Sequence, residues 1–336
     1  MHSWDVCSNS IGVKDYASQC SSSGHESILR KQSREDKGDD MKKDLLEIND
    51  LNLSEIDEIF KLADELKEKR QTFGESLKGK TLGLIFEKPS NRTRVSFEVG
   101  ITELGGHAIY LGSYEIDLGK RESPKDVAKV LSRYLNGMIA RTFSHKTVVE
   151  LAKYSSIPVI NGLTDYQHPC QALSDLFTIK ETKGLAGITV AFIGDGNNVL
   201  NSLLYICHKM GVRIHAACPK GYEPSKDILK DVAGSAALFS SPGDAVKGAD
   251  VIYTDVWTSM GQEKEYKKRL KAFKKYQVNS ELVKLANKGA IVMHCLPAHR
   301  GQEITDEVMD SPASMVMDQA ENRLHVQKAI LVKLLK

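Results

Sequence analysis

Short, largely apolar segments separated by helical stretches are the feature that most restricts how this chain can fold. Segments of this length are too short for helices, and strands that are apolar throughout are typical of a parallel sheet covered on both faces. Strands that alternate with helices indicate repeated βαβ units. Together the segments exceed one sheet of ordinary size, so the pattern predicts an α/β protein with two parallel-sheet domains. The predicted strands lie at 81–86, 137–140, 157–160, 188–193, 212–217, 250–253 and 290–293.

The 336 residues divide into three parts at the level of sequence. Residues 1–40 are rich in serine and lack the apolar stretch of a secretory signal. We therefore expect a disordered leader there, or an extension placed before a start at Met41. A first domain is predicted over 41–183 and a second over 184–318. The last helix, 319–336, is apolar on one face and is expected to complete the first domain.

Charge and composition exclude several classes of function. Lys and Arg total 46 against 44 Asp and Glu, unlike the strongly basic surface of most nucleic-acid-binding proteins. No apolar run approaches the roughly 18 residues of a membrane-spanning helix. The six cysteines are scattered without a C-x-x-C pair, which favours free thiols in a reducing compartment over a metal site. We therefore expect a cytoplasmic protein that binds no nucleic acid, no membrane and no metal.

The segment FEKPSNRTR at 86–94 follows a predicted strand and opens a helix. Unpaired backbone N–H groups and the helix dipole make such a position favourable for an anion. Ser90, Arg92 and Thr93 add donors at the same helix start, and each hydrogen bond to a charged group contributes about 1.5–3 kcal/mol. The sequence favours a phosphate site here, although a capped helix with solvated arginines fits the same residues.

Polar side chains also follow other predicted strands, at the sheet edge where α/β proteins bind ligands. Arg141 ends one buried strand, and His168 stands just before a helix, where an imidazole can donate to a carbonyl oxygen. Asp255 and Cys295 follow two further strands, and Arg323 opens the last helix. Taken singly, each has an ordinary alternative: a capping histidine, a surface ion pair or an inert buried thiol.

The segment GDGNN at 194–198 looks like the opening of a dinucleotide-binding fingerprint. However, Val199 occupies the third glycine position, and the next strand ends at Ala217 without an acidic residue for a ribose. A nicotinamide-dependent oxidoreductase is therefore disfavoured, and no cofactor is predicted. The same helix start can instead present Asn198 to a polar substrate.

Six segments in order resemble the aspartate/ornithine carbamoyltransferases, from about residue 44 to residue 336. The resemblance implies two Rossmann-like domains with parallel sheets, joined by interdomain helices, with the active site between them. It implies transfer of the carbamoyl group from carbamoyl phosphate to the side-chain amine of L-ornithine, giving L-citrulline and phosphate, as in arginine or urea metabolism. It also implies a homotrimer or an assembly of trimers, without metal or cofactor. The segments are FEKPSNRTR, HPCQ, GDGNN, DVWTSMGQE, HCLPAHRG and ENR.

The resemblance also assigns roles to residues. Domain 41–183 is expected to bind carbamoyl phosphate, and domain 184–318 to bind ornithine. The implied catalytic residues are Arg141, His168 and Cys295. The implied ornithine-binding residues are Asn198, Asp255, Ser259 and Met260. The implied carbamoyl-phosphate-binding residues are Ser90, Asn91, Arg92, Thr93, Arg141, His168, Pro169, Cys170, Gln171, Cys295, Leu296 and Arg323.

Two positions depart from the family pattern. Asn91 stands where the family usually has threonine, so the backbone N–H remains and the hydroxyl is lost. Asp117 aligns near a loop position that is often glutamine and that reaches a neighbouring subunit. A carboxylate is a poor partner for phosphate, so Lys120 or Arg121 is the alternative for this contact.

Other functions stay open at this level. A carbamoyltransferase for another amine, such as putrescine, aspartate or an acylated ornithine, fits the phosphate motif equally well. Asp255 followed by Ser259-Met260-Gly261 favours a free α-amino acid, because a plain diamine has no carboxylate to recognise. A catalytically inactive scaffold is disfavoured, because it would have no need to keep the arginines, His168 and Cys295 together.

Overall fold

In a computed structural model, the chain is described over residues 43–69, 74–259 and 261–336. The predictions for residues 1–40 and for Met260 lie outside these described residues. Within them, two parallel sheets are each flanked by helices, as the apolar segments predict.

The strands fall into two sets along the chain. The first sheet contains β1 (Thr81–Phe86), β2 (His107–Gly112), β3 (Gly137–Arg141) and β4 (Val159–Leu163). Their order across the sheet is β2-β1-β3-β4. The second sheet contains β5 (Thr189–Ile193), β6 (Arg213–Ala217), β7 (Ala236–Phe239), β8 (Val251–Thr254) and β9 (Ile291–His294). Their order is β7-β6-β5-β8-β9.

Helices connect the strands and cover both sheets. The helices of the first half are α1 (Leu53–Glu68), α2 (Arg92–Glu103), α3 (Ser113–Ile116), α4 (Pro124–Leu131), α5 (His145–Tyr154) and α6 (Pro169–Lys183). The later helices are α7 (Asn198–Lys209), α8 (Lys226–Asp231), α9 (Pro242–Val246), α10 (Tyr266–Phe273), α11 (Ser280–Val283), α12 (Asp306–Met309) and α13 (Val316–Leu335). In the part of the chain that the structure describes, no helix combines the length and apolar character of a membrane span.

The predicted strands are all present within a few residues of their expected bounds. Two further strands, β2 and β7, were not predicted, although their segments HAIYLG and AALF are largely apolar. Both lie at a sheet edge, as the predicted strands β4 and β9 do, but they are less buried. Two of the six residues of β2 and two of the four residues of β7 are exposed, whereas β4 and β9 are almost entirely buried.

The last helix returns to the first half of the molecule. Helix α13 packs against α1, α2 and α6 and buries Val326, Ile330 and Leu331. It begins at Val316 and not at the predicted residue 319. The residue before it, Met315, offers no side-chain cap, so the sequence carries no start signal there.

The strand order places two ligand-binding positions opposite each other. In a parallel sheet, ligands bind beyond the carboxyl ends of the strands where the direction of winding reverses. This reversal lies between β1 and β3 in the first sheet and between β5 and β8 in the second. The segments that follow β1, β5 and β8 carry the motifs FEKPSNRTR, GDGNN and DVWTSMGQE, while HPCQ and HCLPAHRG come at or shortly after the ends of the neighbouring strands β4 and β9.

Candidate active site

A cavity of about 770 Å³ opens at the carboxyl ends of the two sheets. Its wall brings together side chains that are far apart in the sequence, and most of the predicted site residues are among them. The predicted residues on its wall are Ser90, Asn91, Arg92, Thr93, Arg141, His168, Gln171, Asn198, Asp255, Ser259, Cys295, Leu296 and Arg323.

A few predicted residues lie elsewhere. Pro169 occupies the first turn of α6, and Cys170 is buried behind it, its thiol 3.6 Å from the carbonyl oxygen of Asn161. Neither lines the cavity, so their predicted contact with carbamoyl phosphate stays a prediction. Lys120 and Asp117 pair with each other at 3.6 Å, on a loop outside the cavity. The contact of this loop with a neighbouring subunit stays a prediction.

The start of α2 forms one end of the cavity. Asn91 is the residue before the helix, and its side chain makes no capping hydrogen bond. The N–H of Val95 bonds to the carbonyl oxygen of Asn91 at 2.9 Å, so the amides before Val95 have no helical acceptor. Arg92 and Thr93 lie in this first turn and face the cavity. The arrangement favours an anion, as the sequence predicts.

Two further guanidinium groups converge on the same end. Arg323 donates to the Oγ1 atom of Thr93 at 3.2 Å and to the Oε1 atom of Gln171. Burial, reinforced by Arg323 and Arg92, lowers the pKa of Arg141 to about 10, so this group still carries its charge near neutral pH. Within the described ranges, arginines pair with carboxylates only at Arg94, Arg269 and Arg300. The positive charges at this end of the cavity are therefore left for a ligand.

His168 stands beside these charges. It precedes α6, its backbone N–H donates to the Oγ atom of Ser202 at 2.8 Å, and its buried Nδ1 atom has no protein partner. Burial, together with Arg323 and Arg141, holds the pKa of His168 well below its usual range. The imidazole is therefore neutral at pH 7 and can donate one N–H to an oxygen of a ligand.

Asp255 lies on the part of the cavity wall that follows strand β8 of the second sheet. Its carboxylate accepts hydrogen bonds from the Nδ2 atom of Asn197 at 2.7 Å, from the N–H of Val256 at 2.8 Å and from the thiol of Cys295 at 2.9 Å. Burial and the neighbouring carboxylate raise the pKa of Cys295 well above its usual value, so the thiol keeps its proton. No cation pairs with Asp255 among the described side chains, which leaves a carboxylate available to a positively charged substrate.

Asp255, His294 and Cys295 place possible metal ligands within 4.8 Å of one another. The imidazole is already engaged on both sides: Nδ1 accepts from the N–H of Leu296 at 2.8 Å, and Nε2 lies 3.1 Å from Glu303. With both ring nitrogens committed, the cluster fits a metal poorly, and we assign none. Leu296, beside it, has a φ of 58°, a conformation that side-chain-bearing residues adopt only where the surroundings impose it.

The GDGNN segment packs closely against another loop and caps a helix, which explains its second glycine without a bound nucleotide. A Cβ atom on Gly196 would lie 2.5 Å from backbone atoms of Glu223 and Pro224, so only glycine fits there. The side chain of Asn197 caps α7, and the Nδ2 atom of Asn198 donates to the carbonyl oxygen of Thr164 at 2.6 Å. The close loop contact, and not a pyrophosphate, accounts for the second glycine.

Several wall residues were not predicted from the sequence. Lys88 lies within the first motif and is buried at 7% exposure, with its Nζ atom 4.3 Å from the ring centroid of Phe143. Burial, reinforced by Arg141, lowers the pKa of Lys88. Lys88, Asp195, Asn197, Gln262 and His299 were detectable, because each lies within one of the quoted motifs. Asn201, Tyr222 and Arg269 have no such local signal, because only the fold brings them to the cavity. The remaining unpredicted polar residues on the wall include Asp195, Asn197, Asn201, Tyr222, Gln262, Arg269 and His299.

Comparison with known proteins identifies the family. The family model described as "Aspartate/ornithine carbamoyltransferase, carbamoyl-P binding domain" matches residues 43–181, and the one described as "Asp/Orn binding domain" matches 186–334. Ornithine carbamoyltransferase from Methanosarcina acetivorans is 54% identical over 303 residues, which cover 88% of this chain and 100% of that protein. The anabolic ornithine carbamoyltransferase of Pyrococcus furiosus is 51% identical over 299 residues, 86% of this chain and 95% of that protein.

The same relationship holds for structure. The solved ornithine carbamoyltransferase from Pyrococcus furiosus matches with a TM-score of 0.84 at 50% identity, over 88% of this chain and 97% of that one. The motif order, the two parallel sheets and the cavity between their carboxyl ends agree with these matches. The chain belongs to the aspartate/ornithine carbamoyltransferase family.

Proposed function

We propose that this protein transfers the carbamoyl group of carbamoyl phosphate to the side-chain amine of L-ornithine, giving L-citrulline and phosphate. The observation that carries the proposal is a single cavity with two kinds of wall: guanidinium groups without a carboxylate partner near the start of α2, and the carboxylate of Asp255 with the thiol of Cys295 after strands β8 and β9. Relatives that are 54% and 51% identical carry the name ornithine carbamoyltransferase. One of them is named anabolic, which supports a role in arginine biosynthesis.

The two halves of the chain are proposed to divide the substrates. Residues 41–183, completed by the last helix, bind carbamoyl phosphate, and residues 184–318 bind ornithine. The descriptions of the two matching family models support this division. The phosphate lies at the start of α2, where Arg92 and Arg323 neutralise it.

Charge develops on the carbamoyl oxygen when the amine attacks. Arg141, His168 and Thr93 are proposed to stabilise this oxyanion, since donors already in place require no rearrangement during the reaction. A neutral imidazole suits this role because it donates a hydrogen bond without adding charge beside the arginines. The new C–N bond forms, the C–O bond to phosphate breaks, and phosphate leaves with the electron pair.

The amine must be neutral to attack. A lysine-like amine has a pKa of about 10.4, so its deprotonation at pH 7 costs about 4.6 kcal/mol. Positioning of two reactants can supply about 7–11 kcal/mol, so no strong base is required. We propose that Asp255, Asn198, Ser259 and Met260 hold the amino acid and that Cys295 with Asp255 helps to carry away its proton.

We further propose a cytoplasmic homotrimer. Strand β2 forms an edge of the first sheet, and its Ile109 is 41% exposed. Helix α2 carries two further exposed apolar residues, Val95 at 49% and Val99 at 38%. A neighbouring subunit can cover these apolar side chains. The loop with Asp117, Lys120 and Arg121 follows the short helix α3, which comes directly after β2, and is proposed to reach the neighbour's site. The described cysteines are free thiols, which supports a reducing compartment. Light scattering of the purified protein tests the trimer.

The function is tested by measuring citrulline formation from carbamoyl phosphate with L-ornithine, putrescine, L-aspartate and N-acetylornithine at equal concentrations. We expect kcat/KM for L-ornithine to exceed that of every other amine by at least about 100-fold, because a site that binds charged groups rejects analogues that lack them. A preference for putrescine would leave the assignment of the carbamoyl-phosphate site intact and overturn the assignment of ornithine as the amine substrate. If none of these amines is turned over, the proposal that the protein is a carbamoyltransferase is contradicted.

A further inference from the structure

A buried hydrogen-bond network lies behind the cavity, centred on Asp175 of α6. Its Oδ1 atom accepts from the Nε2 atoms of Gln171 at 2.8 Å and Gln319 at 2.7 Å, and its Oδ2 atom accepts from the hydroxyl of Tyr253 at 2.9 Å. Asp175 and Tyr253 are fully buried, and both glutamines are at most 2% exposed. Asp175 does not line the cavity, so it does not touch a substrate there.

Each donor to Asp175 is connected, by a hydrogen bond or along the chain, to a residue at one end of the active site. Gln171 accepts from Arg323 at the phosphate end. Tyr253 lies on β8, two residues before Asp255 at the amine end. Gln319 accepts from the backbone N–H of His294 at 2.9 Å, and His294 immediately precedes Cys295.

We propose that Asp175 is a positioning residue that sets the distance and orientation between the phosphate end and the amine end of the cavity. The network joins helix α6, strand β8 and helix α13, which belong to different halves of the molecule or span them. Among short side chains, a carboxylate accepts three hydrogen bonds at once without offering a donor of its own. The inference rests on the proposed function, because it concerns how that reaction's two substrates are aligned.

Two substitutions at Asp175 separate geometry from charge. In Asp175→Asn, the amide oxygen can accept from both glutamines, and the amide nitrogen can donate to Tyr253 if the hydroxyl reverses. All three contacts are then kept, with the direction of the Tyr253 hydrogen bond reversed, while the charge and the acceptor of the Tyr253 proton are lost. In Asp175→Ala, three buried donors lose their acceptor, and the elements that they join are free to shift.

The test measures kcat, both KM values and the melting temperature for the two variants and for Thr178→Val. Thr178 is a buried residue of the same helix that accepts from Asn322 of α13 at 3.0 Å but has no connection to the cavity. We expect Asp175→Ala to lower kcat about 100-fold while each KM changes less than about tenfold, since a displacement of about 1 Å has an effect of that size. We expect Asp175→Asn to recover kcat to within about tenfold of wild type, and Thr178→Val to keep it within about twofold.

Two results would overturn the positioning role. One is a kcat in Asp175→Ala close to wild type with a melting temperature lowered as in Thr178→Val. The other is an Asp175→Asn variant as slow as Asp175→Ala. If Asp175→Ala does not fold, Tyr253→Phe keeps Asp175 and both glutamines but removes the hydroxyl that donates to Asp175 and accepts from Gln319 at 3.1 Å. This variant is expected to lower kcat about tenfold, and wild-type kcat there contradicts the role. Citrulline formation by the wild type tests the proposed function independently of these variants.

Discussion

Three guanidinium groups share the phosphate end of the cavity without an ion pair to a carboxylate, and burial together with two of these charges keeps the neighbouring imidazole neutral. Arg141 keeps its charge although burial lowers its pKa to about 10. Together with Arg323 it discourages a second proton on His168. This end of the cavity therefore attracts a phosphate dianion, and the neutral imidazole beside it can donate a hydrogen bond.

The first prediction at this scale concerns the protonation of His168. We expect its imidazole to remain neutral from pH 8 down to pH 5.5, because burial and two arginines lower its pKa. The measurement is the NMR shift of the ring carbon in histidine-labelled protein, assigned by its loss in His168→Gln. A titration centred near pH 6.5 would contradict the account.

The second prediction concerns Cys295. Replacing it with alanine removes a thiol that donates to Asp255 at 2.9 Å and touches the amine end of the cavity. We expect kcat/KM for ornithine to fall about tenfold, with KM for carbamoyl phosphate within twofold of wild type. Steady-state kinetics decide this, with Cys207→Ala as the control because that thiol is buried in the core away from the cavity. Unchanged kcat and ornithine KM would exclude a role for the thiol.

At the scale of elements, the sequence allowed seven of the nine described strands to be predicted, including the edge strands β4 and β9, but not β2, β7 or the complete cavity wall. The continuous apolar runs of β1, β3 and β5 reflect burial on both faces, which is a local signal. Strand β2 is also largely apolar, yet two of its six residues are exposed, because the exposure of an edge strand depends on what the fold places beside it. Arg269 reaches the wall from α10, and no local pattern could indicate a partner 74 residues earlier in the chain.

Arg269 also supports a prediction about the loop that follows β8. Its Nη1 atom donates to Asp195 at 2.8 Å and to the carbonyl oxygen of Trp257 at 2.8 Å, so it ties this loop to the segment after β5. In Arg269→Lys a single ammonium replaces the fork of donors, and the loop with Ser259 loosens. We expect KM for ornithine to rise about tenfold and KM for carbamoyl phosphate to stay within twofold.

Kinetics with each substrate varied in turn provide the check. Arg213→Lys is the matched control, because Arg213 also donates to a backbone carbonyl and a side chain but lies outside the cavity. Equal changes in both KM values would contradict a role specific to the ornithine loop.

At the scale of the whole molecule, the two sheets are joined by buried polar contacts as well as by apolar packing. Asp175 connects α6 to β8 and α13 inside this junction. Burial raises its pKa to about 6 from an ordinary value of 3.8, although its three hydrogen bonds oppose the shift. The folded state therefore holds this proton more tightly than the unfolded state does.

This difference predicts how stability depends on pH. The contribution of Asp175 is fully present below pH 3.8 and is lost as the pH rises through about 6, which amounts to about 3 kcal/mol. Asp175→Asn has no such titration. We expect the free energy of unfolding of wild type, relative to this variant, to fall by about 2 kcal/mol between pH 4 and pH 7. Denaturant unfolding at several pH values measures it, and a constant difference would mean that the carboxyl does not titrate in this range.

The most direct test of the central claim is to trace the bond that forms. Carbamoyl phosphate labelled with ¹³C is incubated with the protein and with L-ornithine labelled with ¹⁵N at the side-chain amine, or in a parallel sample at the α-amine. We predict a one-bond ¹³C–¹⁵N coupling in the product of the first sample alone, with one phosphate released per coupled product. Coupling in the α-labelled sample, or phosphate release without any coupled product, would contradict the proposed carbamoyl transfer.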